Sequence, residues 1–138
     1  MPFPVFSHAE LSGNSGLPSI SFSIIGNQID PTSYVVAVSE TKVQPGQETT
    51  VKYTRLITGT DLDTQKQMSG PSVQQAGDLD GKAVKWLIGL TSLDNLNAPY
   101  RMQVKFGQQN AVVKIVDEPG TLDHGTELAH GYVFISVS

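Results

Sequence analysis

The densest collection of potential ligands lies between Asp117 and His130, where Asp117, Glu118, Asp123, His124, Glu127 and His130 fall in one short stretch. Imidazole nitrogens and carboxylate oxygens suit zinc and similar divalent ions. On a turn of helix, His124, Glu127 and His130 would drift round one side. In a loop, Asp123, His124, Glu127 and His130 could converge on one ion, and they are the candidate metal set. The competing reading is a solvated acidic loop between two strands. Gly125 and Gly131 beside the two histidines favour that loop, and no established ligand spacing matches.

A second acidic element is Asp78-Leu79-Asp80-Gly81, with Asp61 and Asp63 on the same polar segment. Hard cations need six or more oxygens, which two carboxylate pairs would only begin to supply. Asp-Gly ahead of a strand is also an ordinary turn. The third candidate is aromatic. Trp86 is the single tryptophan, Lys85 precedes it, and Tyr34, Tyr53, Tyr100 and Tyr132 lie in or beside alternating segments. An exposed ring can stack on the C–H face of a sugar while amides and carboxylates hold its hydroxyls. Trp86, Asp94, Asn95, Asn97 and Tyr100 are the candidate ligand-binding residues on that view. Against it, a lone tryptophan is commonly the centre of a core.

No nucleophile elbow, phosphate loop, dinucleotide fingerprint or His-Glu-x-x-His is present. Cysteine is absent, which excludes a disulfide framework, a thiolate zinc site and a cysteine nucleophile. The expectation is a non-enzyme without an obligatory cofactor, a divalent metal at the Asp123–His130 segment being the alternative. The nine Lys and Arg are dispersed and the net charge is -4, which argues against nucleic-acid binding by counterion release. No apolar run is long enough for a membrane span. Met1 to Phe6 has no positive charge and does not read as a secretory signal as written, and the compartment stays open.

These residues must be positioned by strands. Tyr100 to Phe106 alternates apolar and polar strictly, as does Ile20 to Ile24. Val51 to Ile57 alternates too, with Arg55 as a defect. Ala83 to Leu90 puts Val84, Trp86, Ile88 and Leu90 on one face and Lys85 on the other. Tyr34 to Val38, Ala111 to Val116 and Gly131 to Val137 read as more buried or β-branched strands. Turn signals separate these runs, including Gly107 to Asn110, a short hairpin loop although Gln108-Gln109 is not a favoured turn pair. Only Ser92 to Asn97 and His124 to His130 could form a turn or two of helix.

With 138 residues the chain fits one domain, 1–138, with an extended N-terminal arm expected over 1–16 and a long polar loop over 59–82. The expected fold is an all-β antiparallel sandwich, immunoglobulin-like or jelly-roll-like, with seven or eight strands. The segment Val43-Gln44-Pro45-Gly46-Gln47-Glu48-Thr49-Thr50-Val51 resembles the Pro-Gly turn before a strand in bacterial immunoglobulin-like sandwich domains. That resemblance implies a sandwich rather than a barrel and carries no function.

Three functions are compatible with these features. The leading one is a non-enzymatic binding module for a carbohydrate or a surface protein, expected to be a homo-oligomer. The alternative is a self-assembling structural protein, such as a virion, decoration or appendage subunit, using the apolar arm Pro2 to Phe6. The third is a metal-dependent enzyme centred on Asp123, His124, Glu127 and His130.

Overall fold

Nine strands form two sheets packed face to face in a computed structural model that describes residues 7–138. They are β1 (His8–Leu11), β2 (Ser19–Gly26), β3 (Asp30–Ser39), β4 (Tyr53–Gly59), β5 (Lys66–Gln67), β6 (Ala83–Thr91), β7 (Pro99–Gln108), β8 (Ala111–Thr121) and β9 (Thr126–Val137). One sheet has the order β1-β9-β6-β3-β4 and the other β5-β2-β7-β8. Every pairing is antiparallel except β1 with β9. The expected antiparallel sandwich is the architecture. The count exceeds seven or eight because β1 and the two-residue β5 are too short to show a period.

Alternation decides which side chains meet between the sheets. Val84, Trp86, Ile88 and Leu90 of β6 point inward with Val36 and Val38 of β3, against Phe22 of β2 and Met102, Val104 and Phe106 of β7. The Trp86 and Phe106 ring centroids lie 6.2 Å apart. The Arg55 defect has a local cause. Val36 pairs with Ile57 while Ala37 pairs with Arg55, so Leu56 is the extra residue of a β-bulge. The bulge lets Arg55 face outward and Ile57 inward without breaking the ladder.

Turn chemistry follows the sequence with one shift. Gly46 has φ 95° and the Gln47 amide donates to the Gln44 carbonyl at 2.9 Å, so Pro45-Gly46 forms the turn its residues favour. The β7–β8 turn is centred on Gln109 and Asn110, with φ 50° and 64°, rather than on Gln108-Gln109. Gln108 turns inward instead. Its side chain donates to the Ser12 and Gly16 carbonyls and accepts from the Ser12 amide, tying down residues 12–16.

Within the segment 1–16, expected as an extended arm, the described residues are held against the sandwich over most of their length. Residues 8–11 pair with Phe134–Val137, and Gln108 fixes the loop that follows. The apolar stretch Pro2 to Phe6 lies outside the described residues. The polar segment 59–82 is also anchored, because Leu62, Met68, Val73, Ala76 and Leu79 are all buried. Among the described residues, no helix is long and apolar enough to cross a membrane.

Candidate functional site: a cleft between β8 and the uncovered half of β9

The two candidate groups are rearranged by the strands. Trp86 is fully buried, since β6 alternation turns it inward while Lys85 turns outward. It cannot stack on a ligand as expected of an exposed ring. Asp94, Asn95 and Asn97 sit on the 92–98 loop, which forms no helix. The Asn95 amide donates to the Ser92 hydroxyl at 3.0 Å, and the Gly125 amide donates to the Leu96 carbonyl at 2.7 Å. That loop docks on the 122–126 turn, and its three polar side chains do not border the opening that Tyr100 lines.

The expected metal set is split. Asp123 and Thr126 bracket a two-residue turn in which His124 and Gly125 have φ 54° and 85°. Exposed His124 meets Asp123 there, Nδ1 to Oδ1 at 2.6 Å. Glu127 and His130 follow on β9 rather than on a helix. Three residues apart on a strand, they point to opposite faces. Among the described residues no three His, Asp or Glu side chains gather closely enough to hold an ion. The calcium candidates are likewise engaged. Asp78 Oδ2 accepts from the Gln74 and Gln75 amides, which holds its carboxyl below the usual range, and Asp80 Oδ1 accepts from the Val137 amide.

What the fold does bring together is a different set. β1 pairs with Phe134–Val137 only, so the first half of β9 has a neighbour on one side, β6. Beside that uncovered half lies a cleft of about 210 Å³, walled by Tyr100 and Met102 of β7, Glu118 and Pro119 of β8, and Glu127 to His130 of β9. Both sheets thus contribute polar side chains to one opening. A wider, shallower hollow of about 470 Å³ adjoins it across Glu127 and Leu128, with Thr32, Thr91, Asp123 and Thr126 on its wall.

Two pairs of interactions set the electrostatics. The Glu127 carboxylate accepts from the Leu128 amide at 3.1 Å, and His130 Nδ1 lies 3.4 Å from the Leu128 carbonyl. Both side chains thereby cap the backbone of the uncovered strand. Glu118 shares the inward register of Val116, through its pairing with Met102. It is half-buried, and burial pushes its carboxyl above the ordinary carboxylate range, with His130 pulling the other way. Burial also raises the Tyr100 phenol, and Glu127 and then Glu118 add to that.

Two glycines make room for this arrangement. A Cβ on Gly131 would sit 2.6 Å from Trp86 Cζ2 and 2.9 Å from Glu118 Oε1. A Cβ on Gly120 would lie 2.3 Å from the Tyr100 hydroxyl. Gly131 therefore lets Trp86 and the Glu118 carboxylate approach one another beneath the cleft, where Trp86 Nε1 is buried without a partner. Of the nine candidate residues, Tyr100, Glu127 and His130 reach the cleft. The sequence marks Glu118 only as part of an acidic stretch. Its pairing with Met102, an inward residue of a strictly alternating strand, was the signal that could have singled it out.

Comparison of the chain with protein-family profiles, curated proteins and solved structures gave no match.

Proposed function

We propose that this protein is a non-enzymatic binding module whose β8–β9 cleft holds a single hydroxylated ring, the terminal unit of a carbohydrate. The observation that carries the reading is that Tyr100, Glu118, Glu127 and His130, drawn from both sheets, all border one opening of about 210 Å³. Ligand pockets for drug-sized molecules are larger, roughly 300–1,000 Å³, so the space suits one ring. A sugar presents C–H faces to a tyrosine ring and hydroxyls that both donate and accept, which matches carboxylates and an imidazole. Tyr100, half-exposed, takes the stacking role expected of Trp86.

A glycan array tests this. Wild-type protein should bind a subset of terminal sugars, and Tyr100→Ala and Glu127→Gln should each lose that signal while keeping the fold. Binding that is unaffected by both substitutions would overturn the assignment of the cleft.

One observation favours a second reading. Glu118, with its raised pKa, shares the cleft with another carboxylate, Glu127, and unlike carboxyl pairs of this kind serve glycoside hydrolysis. Release of nitrophenol from aryl glycosides, abolished by Glu118→Gln, would replace the binding reading with that one.

A further inference from the structure

The opposite surface of the five-stranded sheet differs from the cleft in charge. The chain has 13 Asp and Glu, yet none occurs in β4, in β6, in Val35–Ser39 of β3 or in Leu128–Phe134 of β9. These segments form the middle of that sheet. Across its outer face the register sets Arg55, Ala37, Lys85 and Tyr132 in one row. Ala37 leaves a dip between the two cations, whose backbones are two strand spacings, roughly 10 Å, apart.

Aromatic rings frame the row. Tyr53 and Tyr132 lean toward each other over the sheet, with centroids 6.1 Å apart at 50°. Lys85 Nζ lies 5.6 Å from both centroids, a cation–π placement that fixes the ammonium without neutralising it. Tyr53 is itself held, its hydroxyl donating to the Glu48 carbonyl at 2.7 Å. Glu48 lies at the rim, where its charge adds to burial in raising the Tyr53 phenol, and Glu40 accepts from the Thr54 hydroxyl; neither makes an ion pair with Lys85 or Arg55. Arg55 is exposed and makes no ion pair among the described residues.

We infer that this face is a second binding surface, separate from the cleft, for a linear anionic carbohydrate whose sulfate or carboxylate groups lie over Ala37 between Arg55 and Lys85 and whose rings pack on Tyr53 and Tyr132. Three features favour a glycan over an acidic protein. The face is a strand-ribbed sheet, its two cations stand on alternate strands either side of Ala37, and the Tyr53 ring is pinned through its hydroxyl. Arg55 supplies the forked donor suited to sulfate or carboxylate, and Lys85 supplies a point charge.

The test uses a heparin-derived sulfated hexasaccharide and its fully desulfated counterpart, titrated calorimetrically into the full chain. The sulfated probe should bind, more weakly as salt rises, and the desulfated one should not. Arg55→Gln should lower the affinity about tenfold, as for one hydrogen bond to a charged group. Because Arg55 is exposed, that change leaves the core untouched. Lys85→Gln should weaken binding similarly, and Tyr100→Ala in the cleft should leave it unchanged. Equal affinity for the two probes, no binding of the sulfated one, or an unchanged affinity in Arg55→Gln would each overturn the proposal. Loss of binding in Tyr100→Ala alone would move the site to the cleft.

Discussion

Glu118 is the residue on which the chemistry of the cleft turns. Its carboxyl is half-buried against Trp86 and Gly131, and burial raises its pKa. A raised acid favours the protonated folded state. The stability it confers is complete below the unfolded value, about pH 4.3, and is lost as pH rises through the folded value. Glu118→Gln should therefore leave stability unchanged below about pH 4 and raise it at pH 7. Urea melts at the two pH values check this, and a loss of stability at pH 7 would show that the charged form is the one stabilised. Gly131→Ala should act in the other direction. Its methyl group would press on Trp86 and Glu118, and overpacking of this kind costs about 1–3 kcal/mol, readable in the same melts.

At the scale of elements, strict alternation made β2, β6 and β7 legible in the sequence, because one buried face leaves a period of two. The same logic put Trp86 opposite Lys85, and the competing reading of that tryptophan as the centre of the core is the one the structure bears out. What was not legible came from interruptions of the period. Leu56 is a bulge residue, so Arg55 looked like a defect when it is a normal outward position. Glu127 and His130 looked like a helical pair because the β8–β9 turn at His124-Gly125 carries no Pro and no Asn-Gly signal. The cleft itself depends on where β1 stops along β9, a long-range parallel register that no local pattern encodes. Turn geometry also yields a prediction. Asn110 has φ 64° at the second central position of the β7–β8 hairpin, where glycine is unstrained. Asn110→Gly should stabilise the protein by less than the roughly 1–2 kcal/mol that a side chain bears in the left-handed region, because asparagine tolerates that region better than most residues. Thermal denaturation measures it.

For the whole molecule, the exposed edges decide whether the sandwich stays separate from its copies. β8 is the longest edge strand, with Val112 and Ile115 about half exposed and one partner, β7. Three devices guard it. Val113 is the extra residue of a bulge, Pro119 lacks an amide hydrogen, and Lys114 and Glu118 occupy inward registers opposite Phe106 and Met102. Inward charges, prolines and bulges each oppose edge-to-edge pairing. Lys114→Val would remove one guard and extend a β-branched run. Light scattering at increasing concentration should show association for that variant beyond the wild type, and equal behaviour would mean the edge is protected by other means.

The cleft has a built-in reporter, since Trp86 is the single tryptophan and its indole packs against Gly131, the position that the Glu118 carboxylate also approaches. The most direct test of the cleft as a carbohydrate site is the shift of that one indole N–H resonance during titration with a panel of monosaccharides. A saturable shift with at least one sugar, abolished by Tyr100→Ala, is the predicted result. A resonance that stays fixed across the panel, or moves equally in Tyr100→Ala, would contradict the account.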